Sequence, residues 1–215
     1  MALHCFYGGT FDPVHLGHLA IARAARDQLQ ATIRLMPASD PPHRPAPGAT
    51  AEQRLQMLAL AVQGEPGLVV DRRELDRSGP SYSVETLREL RQTLGPLQPL
   101  ALLVGADSFV GLPTWHQWTQ LFDLAHFVVA ERPGVSLDQR LPVELQQVMT
   151  GRWAAVSSQL HGQPAGLVLR LQHPLQPQSA SKVRALVASG GQWKPLVPAP
   201  VADFIEAHAL YTALG

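Results

Sequence analysis

Apolar positions change period repeatedly along this chain, and each change marks an element. Residues 2–7, ALHCFY, form a short apolar run that stops at Gly8-Gly9, which predicts a buried strand and then a tight turn. From Leu16 to Leu29 the spacing becomes helical. Leu16, Leu19, Ala20, Ala24 and Leu29 share one face, while Arg23, Arg26 and Asp27 lie off it. Further strands are predicted at 32–36, 68–71, 100–104, 126–130 and 168–171. Helices are predicted at 50–62 under a Thr50 cap, at 83–95 under a Ser83 cap, around 114–124, and at 179–189 and 202–210. Residues 37–48 hold five prolines in twelve positions and read as a long surface loop that nucleotide would order. Residues 133–166 have no clear period and read as an insertion.

Strands alternate with helices and no tandem hairpins appear. The pattern predicts an α/β fold with a doubly wound, mostly parallel sheet. Its strand order is not readable from the pattern. A length of 215 residues fits one domain spanning 1–215.

Composition narrows the function. Apolar residues at 46% and charged residues at 16% exclude a disordered chain. Lys plus Arg and Asp plus Glu both number 17, so no whole-chain electrostatic grip on nucleic acid is expected. The single cysteine, Cys5, excludes an internal disulfide and a Cys-rich metal framework, and it reads as buried packing. No apolar run is long enough to span a membrane, and MALHCFYGGTFDP does not resemble a secretory leader. The expectation is a cytoplasmic protein without membrane or nucleic-acid partners.

The chemistry concentrates in Gly8-Gly9-Thr10-Phe11-Asp12-Pro13-Val14-His15-Leu16-Gly17-His18, between the first strand and the first helix. Doubly wound folds bind phosphates there, at a helix amino end. The glycines admit backbone N–H groups to an anion, and Gly17 leaves room for a bulky group against the helix. His15 and His18, three apart, can face one ligand. There is no Gly-Lys-Ser/Thr ending and no GxGxxG, so neither a P-loop nor a dinucleotide fingerprint fits. A zincin would need a four-residue His spacing with an acid between, and no metal ligand is assigned. Asp12 fits a turn or cap better than a metal ligand, and Thr10 fits either a phosphate contact or a turn.

GGTFDPVHLGH resembles the GGTFDPxHxGH signature of bacterial nicotinate-nucleotide adenylyltransferases, within the HxGH nucleotidylyltransferase superfamily. Pro41-Pro42-His43-Arg44 resembles the family's PPHK, and residues 81–87, SYSVETL, resemble SYTxDTL. Residues 105–109 with Trp115 resemble GaDsf…W, residues 132–134 resemble RPG, and residues 178–184, QSASKVR, resemble ISSTxIR. In that last segment Gln178 stands for Ile and Ser181 for Thr, and Arg44 stands for Lys in the loop. A closing PxxVxxFIxxxxLY at 198–211 also fits.

The resemblance implies a Rossmann-like nucleotidylyltransferase fold and adenylyl transfer from ATP to nicotinate mononucleotide. The products are nicotinate adenine dinucleotide and pyrophosphate, in NAD biosynthesis. It implies His15, His18 and Arg184 as catalytic residues. ATP falls to Gly8, Gly9, Thr10, Phe11, Gly105, Asp107 and Ser181 together with those three. The mononucleotide falls to Arg44, Thr86, Asp107, Trp115, His116 and Arg132. Mg²⁺ is implied as a cofactor carried mainly by the ATP phosphates. The acceptor's carboxylate is expected on backbone N–H groups at Thr86 and beside Trp115–His116. Taken alone, Asp107 fits a ribose contact or a helix cap, Trp115 a core residue or a stacking platform, and Arg184 a solvated side chain. Other acceptors of the same fold, namely phosphopantetheine, nicotinamide mononucleotide and a sugar phosphate, stay open. So does a nucleotide-binding regulator without activity.

Overall fold

The computed structural model describes residues 1–39, 48–77, 79, 81–131, 137, 140–172 and 178–212. Six strands form one parallel sheet: β1 (His4–Gly9), β2 (Ile33–Pro37), β3 (Leu68–Val70), β4 (Leu100–Gly105), β5 (His126–Ala130) and β6 (Val168–Leu171). Their order is β3-β2-β1-β4-β5-β6. The connection reverses between β1 and β4, and this switch point opens the crevice where doubly wound sheets bind ligands.

Alternation along the strands explains two cores. Cys5, Tyr7, Ala101, Leu103, Val128 and Ala130 face one layer. It is closed by α1 (Leu16–Leu29), α2 (Ala51–Val62), α8 (Ala180–Ala188) and α9 (Ala199–Ala207). Phe6, Leu102, Val104, Phe127 and Val129 face the other. That side packs α4 (Ser83–Leu94), α5 (Ala106–Val110), α6 (Leu121–Leu124) and α7 (Val143–Met149). A sheet covered on both faces needs near-continuous apolar strands, which is why the strands were legible. A one-turn helix, α3 (Arg73–Asp76), precedes α4.

Some expectations need correction. The 114–124 helix is two 3₁₀ turns, Leu112–Thr114 and Trp118–Gln120, followed by α6. Pro113 in the first turn and the left-handed Gln117 (φ 50°) break the regular ladder. Ser83 is the first residue of α4 rather than its cap, which is Tyr82. The last helix is α9, with Pro200 in its first turn. The described residues of 133–166, read as an insertion, pack into both cores. Leu145 and Met149 of α7 enter the second core and Leu160 the first. Ala154 N–H donates to Val168 carbonyl at 2.8 Å, and Val168 N–H to Arg152 carbonyl at 2.8 Å, so this segment covers the β6 edge. Its anchor is buried His126, whose Nδ1 accepts Leu167 N–H at 3.0 Å while Nε2 donates to Gln163 carbonyl at 2.9 Å.

The loops after β1 and β2 are sewn together by Arg54, which is 1% exposed in α2. Its Nη1 donates to Thr10 carbonyl at 2.8 Å and Ala38 carbonyl at 2.7 Å, and Nη2 to Ser39 carbonyl at 3.0 Å. Burial pulls the guanidinium below its ordinary range, and the Asp12 charge opposes that. Arg54→Met strands these carbonyls, so stability should fall by about 3–5 kcal/mol in urea unfolding. A loss under about 1 kcal/mol would show that water replaces the guanidinium there.

Candidate active site

β1 does not stop at its glycines. Gly8 and Gly9 pair with Met36 and Pro37 of β2, and Gly9 carbonyl accepts Ala38 N–H at 2.9 Å. The turn is therefore Thr10–Pro13, one step later than the glycines suggest. A Cβ on Gly9 would lie 3.0 Å from the Phe11 ring. That ring is buried, edge-on to Tyr7 and His18 at 5.5 and 5.0 Å, so Phe11 reaches a ligand only through its backbone.

Asp12 is the anchor of the turn. Its Oδ2 accepts Gly48 N–H at 2.8 Å, and its Oδ1 accepts Ala49 N–H at 3.1 Å and the Tyr211 hydroxyl at 2.7 Å. Both oxygens serve protein donors, which is the turn role expected of this residue. Burial, helped by Asp12, pushes the Tyr211 phenol far up, which keeps it a donor.

His15 and His18 cap α1 reciprocally. His18 N–H donates to His15 Nδ1 at 3.3 Å, and His15 N–H donates to His18 Nδ1 at 3.2 Å. A backbone N–H can only donate, so each Nδ1 is an acceptor and each ring carries its proton on Nε2. The rings stack at 3.7 Å and 23°. A Cβ on Gly17 would fall 3.0 Å from His15 Nδ1. The space at Gly17 thus belongs to the His15 ring, not to a bulky ligand group.

α8 brings the third member. Arg184 Nη1 donates to Asp12 carbonyl at 2.6 Å and stands 3.6 Å from Asp12 Oδ2, while Nη2 reaches Ser181 Oγ at 3.5 Å. Ser179 caps this helix, accepting Lys182 N–H at 3.2 Å. His15, His18, Ser181 and Arg184 therefore gather around one turn.

A cavity of about 310 Å³ adjoins this group through Gly8, Gly9 and Thr10. Thr86, Asp107, Trp115 and His116 complete its far walls. Gly105 is the residue before α5, and Asp107 follows in its first turn. Two details differ from expectation. Thr86 N–H donates to Tyr82 carbonyl at 3.2 Å and Trp115 N–H to Leu112 carbonyl at 2.8 Å, so neither amide is offered to an anion. Helix and 3₁₀ bonding have claimed both. The amides nearer the α4 end, at Ser83 and Val84, precede the first intrahelical bond. Ser83 stands in the cavity wall. Arg44, with His43, and Arg132 lie outside the described residues.

Sequence reasoning missed several partners. Arg140 pairs with Asp107 at 2.6 Å from a segment without periodicity. Arg54 sits on an otherwise apolar face, and Glu74 and Arg77 flank Thr86; only the inward spacing of Arg54 signals anything in sequence. Among the described residues, no group of three or more His, Cys, Asp or Glu side chains is placed to hold a metal ion. No described helix is long and apolar enough to cross a membrane.

Residues 6–186 match the cytidylyltransferase-like family. A probable nicotinate-nucleotide adenylyltransferase of Stenotrophomonas maltophilia is 60% identical, over 98% of this chain and 97% of that one. One from Xylella fastidiosa is 51% identical, over 98% and 96%. Among solved structures, the nicotinic acid mononucleotide adenylyltransferase of Plasmodium falciparum complexed with NaAD superposes with a TM-score of 0.71 over 98% of each chain. At 14% identity that likeness speaks for the fold alone.

Gly17→Ala should tilt the His15 ring and lower turnover by about 10–100-fold, with the melting temperature nearly unchanged. Turnover within twofold of the parent would mean that the ring tolerates a methyl group there.

Proposed function

We propose, for a chain that belongs to the nicotinate-nucleotide adenylyltransferases of the cytidylyltransferase-like family, that it joins nicotinate mononucleotide to the AMP part of ATP. The products are nicotinate adenine dinucleotide and pyrophosphate. One observation carries the reading. Two Nε2-protonated histidines and an Asp12-bound guanidinium converge on one turn, and that turn borders a cavity with an indole wall.

The chemistry suits these parts. The acceptor phosphate has a second pKa of about 6 and is mostly dianionic at neutral pH, so attack on the α-phosphorus needs no strong base. What it needs is polyanions brought together and charge stabilised on a five-coordinate phosphorus. His15 and His18 donate from Nε2 to ATP phosphate oxygens, at the positive end of α1. Ser181 and Arg184 take the β- and γ-phosphates. Gly8, Gly9, Thr10 and the Phe11 backbone line the phosphate path, and Gly105 and Asp107 meet ribose. Trp115 stacks on the electron-poor pyridine ring, and the α4 end at Ser83 with His116 meets its carboxylate. Arg44 and Arg132 keep their roles as expectations on the phosphate and acceptor sides. Mg²⁺ would arrive on the ATP phosphates. Among the described residues no group of side chains forms a cage for it.

Pyrophosphate release with ATP and a panel of acceptors tests the reading: nicotinate mononucleotide should far exceed nicotinamide mononucleotide and phosphopantetheine. Equal use of the two mononucleotides would overturn the acceptor. His18→Ala should cost about 10²–10³ in turnover, because a preorganised donor is lost. Arg184→Ala should raise the ATP Michaelis constant and lower turnover, and an effect on the mononucleotide alone would misplace it. Trp115→Ala should weaken both mononucleotides alike, since stacking does not read the substituent.

A further inference from the structure

The acceptor cavity has an acid in its wall and a guanidinium behind it that the reaction above does not use. Glu74, in α3, is 6% exposed and lines the cavity. Thr86 Oγ1 donates to Glu74 Oε1 at 2.8 Å, and the Ser81 hydroxyl bonds the same carboxyl. Ser81 Oγ in turn accepts Ser39 N–H at 3.1 Å, which ties the group to the loop after β2. On the other side of Thr86, Arg77 Nη2 donates to Oγ1 at 3.0 Å. A single hydroxyl thus bridges an acid and a cation at the wall where the pyridine substituent is placed.

The surrounding charges do not swamp this pair. Arg73 is bound to Asp71 at 2.8 Å and reaches Glu89 at 3.3 Å. Arg77 is shared, standing 3.7 Å from Glu89. Arg34 of β2 lies over the Phe6 ring, as Arg73 does. Across the cavity Asp107 pairs with Arg140, and the Tyr82 ring lies tilted against His116 at 4.6 Å. Burial, then Asp71, push the Glu74 carboxyl up, and the Thr86 and Ser81 hydroxyls with Arg77 pull it down.

We propose that Glu74 and Arg77 are specificity-determining residues that set the charge met by the acceptor's ring substituent. Arg77 favours a carboxylate over a carboxamide, and an ionised Glu74 opposes it. The inference rests on the pyridine-nucleotide reading above. Its sign in pH follows from linkage. An anion entering the cavity favours protonated Glu74, so carboxylate binding takes up a proton wherever Glu74 is ionised in the free enzyme. Carboxamide binding does not. Preference for the carboxylate is therefore greatest below the raised Glu74 pKa and declines as pH rises through it. Ionisation of the acceptor phosphate is common to both mononucleotides and cancels in their ratio.

The test is the ratio of kcat/KM for nicotinate over nicotinamide mononucleotide, from mildly acid to mildly alkaline pH, in the parent, Arg77→Gln, Arg77→Lys and Glu74→Gln. Arg77→Gln should lower the ratio about tenfold, mainly through KM for nicotinate mononucleotide, and Arg77→Lys should restore most of it. Glu74→Gln keeps the acceptor oxygen for Thr86, so it should raise the ratio several-fold at alkaline pH and flatten its pH dependence. Equal losses on both acceptors, or an unchanged pH slope in Glu74→Gln, would overturn the proposal. Should Glu74→Gln melt below assay temperature, the Arg77 pair and the parent's pH slope decide it. A parent ratio near one at every pH would overturn the acceptor reading instead.

Discussion

The buried Asp12 carboxylate is the constraint on which the arrangement of His15, His18 and Arg184 depends. Its side chain is 5% exposed. A charge so placed is tolerable only when its lone pairs meet donors, and the donors here come from three separate parts of the chain. Gly48 and Ala49 bring the start of α2, Tyr211 brings the segment after α9, and Arg184 brings α8. Charge-assisted bonds of this kind are worth about 1.5–3 kcal/mol each, enough to fix three segments around one turn. Arg54 does the complementary work below, taking the carbonyls that the same turns leave behind. The site is thus preorganised by a buried acid and a buried guanidinium whose polar atoms are engaged by the protein itself.

This division explains what the sequence could and could not disclose. Strands buried on both faces and helices with one apolar stripe leave periodic traces, so β5 and α1 appear at their predicted bounds. The strand order is a long-range fact with no periodic trace. Partnerships across the chain are equally silent. Tyr211 and Asp12 are 199 residues apart, and Arg140 reaches Asp107 from a stretch without period. Backbone bonding was the other blind spot. That the Thr86 amide is spent on Tyr82 depends on α4 starting at Ser83, a boundary that propensity alone fixes poorly. Of the residues assigned by resemblance, His15, His18, Ser181 and Arg184 lie around one turn, and Thr86, Asp107, Trp115 and His116 line the cavity beside it. The Thr86 amide expected to meet the carboxylate is spent within the helix, and the unspent amides lie about one turn nearer its end.

The spacing of the two histidines has a local cause that chemistry alone would not supply. In a capping box the residue before the helix and the third residue within it exchange side-chain-to-backbone bonds. Here His15 and His18 occupy those positions, with imidazole Nδ1 replacing hydroxyl and carboxylate oxygens. The three-residue interval is therefore the interval of the cap. The cap spends the Nδ1 lone pairs on the backbone and leaves the proton on Nε2, the atom farther from the helix. One set of bonds begins the helix, fixes both tautomers and aligns both rings. Gly17 completes the device, because any side chain between the two would press on His15. A serine–glutamate cap would start α1 equally well but would present no N–H donor to a phosphate. With both rings acting as phosphate donors, as proposed above, that difference accounts for two histidines at a position where capping alone would favour smaller residues.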